Sequence, residues 1–472
     1  MLLVLHLLKF SARFCSVRAV TGKTKGQLPF RRMSSQFEID LQLRLQRIQA
    51  TNKETNAFIT VNEKVVKDIR PSAGLRLLEG CTLVVKDNVE VAGLPNTGGT
   101  KALEKFIPNR DATAVTRLKD EGAIVIGKAN LHELAFGITS KNYAYGAVGN
   151  ACDVKYIAGG SSGGTAVAVA MGCARVGLGT DTGGSVRIPA ALNGIVGFRP
   201  TTGRYPSDGV LPLSNTRDTI GPMTLNVTDA ALLDAVITKS KPVLQNVDMS
   251  SLRLGVPRDY YYYNLDIEVA NVMEKVLVNL KNAGVTLIEQ DVPDIKELSS
   301  KSGFPIVFYE TSQVLPQYLK DNNIPVTMEE LNDKIESPDV KQTIHQIMTV
   351  TPPEQVYREA LKVFRPQLQQ RFIDYFAKYE VDAIIFPTTP LPARLIEGID
   401  ETVEINGVKV PTFPAYNRNM DPSSIAGIPS LTLPAGKSSE GLPIGVDIEG
   451  PANSDRRLLA IGLLLESILK VS

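Results

Sequence analysis

The chain has 472 residues, 43% hydrophobic and 21% charged; its 51 basic and 50 acidic side chains give a formal net charge of +1, which excludes an overall polybasic nucleic-acid binder. Cys15, Cys81, Cys152 and Cys173 form neither a disulfide framework nor a zinc spacing, and that usage points to a reducing compartment. The only histidines, His6, His132 and His345, leave almost no candidates for a histidine-ligated metal site or a Ser-His-Asp triad. Residues 1–32 hold Lys9, Arg13, Arg18, Lys23, Lys25, Arg31 and Arg32, and no Asp or Glu precedes Glu38. Opening on MLLVLHLLKF, this segment reads as a mitochondrial presequence; the alternative is a cytoplasmic protein starting at Met33. Residues 37–50 then space apolar side chains as a helix does. CTLVVKD (81–87) reads as a buried strand, DATAVTRLKDEG (111–122) as a helix, AIVIGKA (123–129) as a strand and NLHELAFG (130–137) as a short helix. RVGLGTD (175–181) and IVGFRP (195–200) read as strands, and TDAALLDAVITK (228–239) as a helix capped by Thr228. After a polar linker near 240–252 come a strand in LRLGVPR, a long helix in DIEVANVMEKVLVNLKNAG and a strand in VTLIEQDV. The run Tyr260 to Tyr263 lacks the basic patch that base stacking would need and reads as a surface loop. Residues 295 to 380 turn helical. DAIIFPTTP (382–390), SLTLPAG (430–436) and PIGVDIEG (443–450) return as strands before an amphipathic helix at 456–469. No run of about 20 apolar residues exists, so no membrane-spanning helix is expected. The alternation predicts an α/β fold with a mixed, mostly parallel central sheet covered by helices on both faces.

The stretch 158–190 is the richest in chemistry. Gly159-Gly160-Ser161-Ser162-Gly163-Gly164 runs into the apolar TAVAVAMG, so backbone N–H groups are exposed at a helix start. Phosphate binding is one reading, but no Gly-x-x-x-x-Gly-Lys-Ser/Thr pattern supports it; the early Gly-Lys-Thr at 22–24 has Val17 where the first glycine belongs. A second cluster, Thr180-Asp181-Thr182-Gly183-Gly184-Ser185, follows a strand and suits backbone donors converging on a reacting oxygen. A plain turn is the bland reading of either cluster alone. A serine nucleophile needs a base, and with histidine scarce lysine is the next candidate. Lys86 ends an apolar strand, where burial would lower its pKa; otherwise it snorkels to solvent.

VVKDN (84–88), GGSSGG (159–164) and GTDTGGSVRIPAALNGIVGFRPTTGRYP (179–206) resemble the amidase signature family over roughly residues 40–470. The resemblance implies one domain over 37–472 after an extension at 1–36, with a catalytic core at 75–240 and a helical substrate-covering insertion at about 295–380. It implies Ser185 as nucleophile, Ser161 as a bridging serine held by a cis peptide, and Lys86 as base. It places the oxyanion hole at the N–H groups of Thr182, Gly183, Gly184 and Ser185, and gives Ser162 and Asp181 the task of holding the loop. It calls for no cofactor, metal, nucleic acid or membrane; the partner is a small-molecule amide, and a homodimer stays open. Within the family, NLHELAFGITSKNYAYGAV (130–148), FPIVFYETSQVLPQYL (304–319) and NRNMDPSSIAGIPSLTLP (417–434) are similar to indoleacetamide hydrolases and mandelamide-type amidases. That implies hydrolysis of an aryl-acetamide-like primary amide to the acid and ammonia. The alternatives are the glutaminase component of a mitochondrial glutamyl-tRNA(Gln) amidotransferase and an inactive amidase-fold binding protein. Against the former, SNTRDT and DVKQTI (339–344) lack the residues expected to hold glutamine, and the acidic position falls near Asn417 unless Asp421 substitutes. Phe136, Tyr318 and Asn417 are the candidates for substrate contact, though Tyr318 equally suits a helix surface. His132 is expected to be structural, and Arg217-Asp218-Thr219 to make an ion pair beneath the catalytic loop.

Overall fold

The structure is a computed structural model that describes residues 30–65 and 76–469, with side chains from Phe37 onward. The segment read as a presequence lies, up to residue 29, outside the described residues. The helix expected at 37–50 runs from Phe30 to Thr55, across the expected boundary between residues 36 and 37.

The strands are β1 (Phe58–Val61), β2 (Thr82–Lys86), β3 (Ile124–Ala129), β4 (Val176–Asp181), β5 (Val196–Arg199), β6 (Thr219–Thr224) and β7 (Arg253–Gly255). They continue with β8 (Thr286–Ile288), β9 (Ala383–Pro387), β10 (Thr402–Ile405), β11 (Val408–Pro411), β12 (Ser430–Lys437) and β13 (Pro443–Glu449). Eleven of them form one sheet in the order β1-β3-β2-β4-β6-β5-β12-β13-β9-β7-β8, and β10 and β11 form a separate hairpin. The sheet is mixed, as expected, but it is not mostly parallel. Only β2–β3, β2–β4, β7–β8 and β7–β9 run parallel, while the other six pairings are antiparallel. The reason lies in connection length. β12 and β13 are separated by five residues, too few for a crossover, so they close as a hairpin. β6 was not apparent in the sequence, because IGPMT is short and carries an internal proline.

One face is covered by the helices Val227–Ile237, Ile267–Asn282 and Asp455–Leu469, packed on the large apolar cluster that includes Leu254, Leu431 and Ile448. The other face holds two short helices, Gly163–Ala170 and Arg187–Asn193, against β4, β5 and β13. Both are so deeply placed that nearly every residue is buried, which explains why their sequences show no amphipathic period. Helices Ile295–Asp321, Pro338–Thr349 and Arg365–Tyr379 occupy the stretch expected to be helical and pack on one another.

Three smaller expectations need correction. NLHELAFG is not a helix beyond the single turn Glu133–Ala135, and Leu134 and Ala135 adopt positive φ of 51° and 60°. The chain doubles back there so that His132 N–H and Ser140 Oγ both donate to the Ser161 carbonyl, at 3.1 and 3.3 Å. The helix at 227–237 is capped by Asn226, whose side chain accepts from Asp229 N–H, and not by Thr228. The tyrosine run is mostly interior: Tyr261 stacks on Phe386 with centroids 3.9 Å apart, Tyr260 and Tyr262 donate to backbone carbonyls, and Tyr263 alone of the four is exposed.

Candidate active site

β2 and β4 are parallel neighbours, so their carboxyl ends emerge on one edge of the sheet, where α/β proteins commonly place ligands. Lys86 ends the first and Asp181 the second. Every residue of β2 is buried, and Lys86 is drawn inside with it. Its Nζ lies 2.7 Å from Ser161 Oγ and 2.8 Å from Thr180 Oγ1, and Asn88 Nδ2 donates to the same threonine oxygen at 3.1 Å. Burial lowers the Lys86 pKa to about 7, against the opposing pull of the Asp181 and Asp218 carboxylates. The ammonium is therefore only marginally preferred at neutral pH, and the free amine can accept the Ser161 hydroxyl proton across the same contact. The bond between Gly160 and Ser161 is cis. A Cβ on Gly160 would come within 3.0 Å of the Ser140, Ile138 and Thr139 backbone, so only glycine fits beside it.

The loop after β4 is built on buried charge. Asp181 Oδ1 accepts from Gly184 N–H at 2.8 Å, and Oδ2 accepts from Val186 N–H at 3.2 Å. The same carboxylate pairs with Arg187, at 3.0 and 3.1 Å, and with Arg199 at 2.8 Å, all three residues fully buried. Burial alone would raise the Asp181 pKa, but the two guanidiniums overcome it and hold the carboxylate well below its usual range. Arg187 also donates to Ser423, Ser424 and Ser430 hydroxyls and to the Met420 carbonyl. Gly184 has φ of 114°, and a Cβ there would lie 2.6 Å from Met420 Cβ, so the turn requires glycine twice over. Thr182 is tied in turn: its hydroxyl donates to Asp218 Oδ1 at 2.5 Å, and its carbonyl accepts from Arg217 Nε at 3.2 Å. The expected ion pair of the Arg217-Asp218-Thr219 segment is Arg217 with Asp421.

Ser162 behaves as a brace. Its N–H donates to the Ser185 carbonyl at 3.1 Å, and its hydroxyl bridges Thr180 N–H and carbonyl, each at 3.3 Å. Thus Lys86, Ser161, Ser162, Asp181 and Ser185 meet in one place, with Ser161 bonded to the lysine and Ser185 joined to that cluster through the backbone of Ser162. Gly184 departs from expectation, since its N–H is spent on Asp181. The N–H groups of Thr182, Gly183 and Ser185 make no hydrogen bond among the described residues, so all three remain open to donate.

The candidates for substrate contact separate. Asn417 sits over the loop, its Oδ1 3.3 Å from where a Gly183 Cβ would stand. Tyr318 does not face that loop: its hydroxyl donates to Glu90 Oε1 at 2.9 Å and accepts from Asn96 Nδ2 at 3.2 Å, and its ring meets Phe106 edge-on. Tyr318 is not a helix-surface residue, because it is buried at a helix–turn contact. Phe136 packs between two small apolar clusters with Leu134 and Leu213. His132 is structural as expected: Nδ1 accepts from Ser140 N–H at 3.2 Å, and Nε2 lies 2.9 Å from Asp339 Oδ2 on a cover helix. Among the described residues no group of three or more His, Cys, Asp or Glu side chains could hold a metal ion. The roles of Thr180, Asn88, Arg187 and Arg199 were missed. Two arginines stranded in the otherwise apolar, glycine-rich run 183–200 were the readable signal for the last pair.

Comparison with known proteins gives the family. The family pattern described as Amidase matches residues 41–459. The indoleacetamide hydrolase of Agrobacterium vitis is 44% identical over 398 residues, which is 83% of this chain and 84% of that one. The mandelamide hydrolase of Pseudomonas putida is 41% identical over 442 residues, 88% of this chain and 85% of that one. A solved amidase structure superposes with a TM-score of 0.80 at 32% identity, covering 94% of this chain and 100% of that one. With a match over most of its length, the chain belongs to the amidase signature family and is a hydrolase of amide carbon–nitrogen bonds.

Proposed function

We propose that the protein hydrolyses an aryl-acetic type primary carboxamide to the carboxylic acid and ammonia, through an acyl-enzyme on Ser185. The observation that carries the mechanism is the 2.7 Å contact between Ser161 Oγ and a buried Lys86 whose pKa lies near 7. Neutral Lys86 takes the Ser161 proton as Ser161 takes that of Ser185, and Ser185 Oγ bonds to the amide carbon. The N–H groups of Thr182, Gly183 and Ser185 meet the developing oxyanion, where such donors are typically worth about 10²–10³ in rate each. The carbon–nitrogen bond breaks as the proton returns along the same path to the departing ammonia. Water then repeats the sequence on the ester and releases the acid.

The acyl preference rests on charge and on relatives. Asp421 is paired with Arg217 and Asp339 with His132, so neither carboxylate is free to hold the ammonium group of glutamine. That supports a neutral acyl group over the amidotransferase reading. The relatives named for indoleacetamide and mandelamide support an aryl one. Ammonia release should be measured on indole-3-acetamide, phenylacetamide, mandelamide, short aliphatic amides, glutamine and asparagine. The expected order puts the arylacetamides first; a preference for glutamine, or turnover only with partner proteins, would overturn the proposal. The basic amino terminus supports a mitochondrial destination, and a fluorescent fusion of residues 1–35 that stays diffuse in cells would remove it.

A further inference from the structure

Single exposed apolar side chains are ordinary on a protein surface, but a contiguous aromatic group beside a reactive loop is not. Phe304 is 56% exposed and Phe413 39% exposed. Their ring centroids lie 6.2 Å apart, and Phe308 meets Phe304 edge-to-face at 5.5 Å. Phe304 and Phe308 are four residues apart in the helix Ile295–Asp321, so they share one face. Phe413 and Asn417 are likewise four apart, in the helix Thr412–Asn417. Two separate elements thus turn aromatic rings towards one another.

Their position follows from the residues beside them. Gly303, next to Phe304, offers its carbonyl to Arg217 Nη1 at 3.2 Å, and a Cβ on it would stand 3.0 Å from Asp421 Oδ2. The same Arg217–Asp421 pair flanks Gly183, where a Cβ would stand 3.5 Å from Arg217 Nη2 and 3.7 Å from Asp421 Oδ1. Asn417, on the helix that carries Phe413, touches Gly183 too. The aromatic group is therefore one step from the Gly183 loop along both of its helices, and Ser185 is two residues further on.

We infer that Phe304, Phe308 and Phe413 form the wall that receives the aryl ring of the substrate's acyl group. This assignment rests on the aryl-acetamide reading above. The leaving group of a primary amide is ammonia, too small to need such a surface, so an apolar wall beside the loop serves the acyl side. An aryl ring docked edge-on or offset against these phenylalanines adds an aromatic pair to those the rings already make with one another. A two- or three-carbon acyl chain held at Ser185 is too short to profit from it.

The test compares kcat/KM for phenylacetamide and propionamide in the full chain and in Phe304→Leu, Phe413→Leu and the double variant. Each single change should lower the phenylacetamide value by about 3- to 10-fold and leave propionamide within about twofold; Phe304→Tyr should restore most of it. Because the chain has no tryptophan, indole emission reports the ligand alone. Titrating indole-3-acetamide with Ser185→Ala, with and without Phe304→Leu, should show weaker binding in the double variant. Equal losses on both amides, with a changed oligomeric mass, would make the patch a contact between copies of the chain and overturn the wall. Unchanged discrimination in the variants would overturn the wall and leave the proposed reaction standing. A wild-type enzyme that releases ammonia from aliphatic amides but not from arylacetamides would overturn both the wall and the acyl preference.

Discussion

The loop bed at residues 179–199 and the mouth formed by Phe304, Phe308 and Phe413 lie next to one another and are built on opposite rules. In the bed, the charges are buried against one another: one carboxylate binds two guanidiniums and two backbone N–H groups, and the hydroxyls of Ser423, Ser424 and Ser430 accept from Arg187. In the mouth, Phe304 and Phe413 turn aromatic carbon outward, while Phe308 backs onto an apolar cluster. A bed of that kind tolerates almost no substitution, because removing one member of a buried ion pair strands the other. A surface of exposed rings can change without disturbing what lies below. On the proposed mechanism and acyl wall, the bed sets the reaction and the mouth is where acyl preference can vary.

The sharpest way to break that division is at Lys86. Lys86→Ala should lower kcat on every amide by about 10³–10⁴ while the chain stays folded, and combining it with Ser185→Ala should add little, since the two act as one unit. The wild-type rate should rise as pH increases through about 7, where Lys86 loses its proton. Its folded pKa lies below the ordinary lysine value, so the unfolded chain binds the extra proton between about 7 and 10.5. Stability should therefore climb with pH across that window, and Lys86→Met should remove the slope. Loss that depends on the acyl group, in place of a uniform one, would erase the distinction between bed and mouth.

Next in size is Asp181→Asn. It leaves Arg187 and Arg199 buried without their carboxylate and should cost about 3–5 kcal/mol, read as a lower denaturation midpoint, together with a fall in kcat for all amides. Tyr318→Phe should be smaller. It leaves Glu90 Oε1 buried without its donor, at about 1–3 kcal/mol of stability, and should keep kcat/KM within about threefold, because the hydroxyl faces the turn after β2 and not the loop. An acyl-selective loss of activity in Tyr318→Phe would return that tyrosine to the substrate pocket.

The smallest effect carries the most informative sign. Glu449 lies under Arg187, fully buried, and burial beside Asp447 raises its pKa well above the usual carboxyl range. A carboxyl whose folded pKa is raised loses stability as pH climbs past its unfolded value, so Glu449→Gln should be as stable as wild type near pH 4 and more stable at pH 7. Thermal unfolding at the two pH values checks it. Destabilisation at pH 7 would mean that Glu449 is ionised and belongs to the Arg187 ion pair.

What the sequence disclosed follows the same line. Lys86 and Ser185 stood out because glycine runs, a lysine in an apolar strand and a shortage of histidine are local signals; Ser161, Ser162 and Asp181 took their roles from the family resemblance. Most strands and long helices were legible for the same reason: β2, β3, β4 and the helix Ile267–Asn282 carry their period within their own residues. Pairing direction was not, since it depends on how far apart β5, β6, β12 and β13 lie along the chain. The family resemblance gave Gly184 an oxyanion role together with its neighbours, and only the folded chain shows the Asp181 side chain turning back to accept from its N–H. The aromatic mouth joins residues more than a hundred positions apart, and nothing in either segment marks its partner. The burial of Tyr318 was not legible for a related reason: Glu90 is 228 residues away.

The central claim is that Ser185 is activated through Ser161 by an amine that titrates near neutrality. The direct test is the rate of fluorophosphonate labelling as a function of pH, with the adduct located by peptide mass spectrometry. The account predicts a single adduct on Ser185, a rate that rises through about pH 7, and loss of labelling in Lys86→Ala. An adduct on Ser161, or labelling of Ser185 that is flat in pH and survives Lys86→Ala, would contradict it.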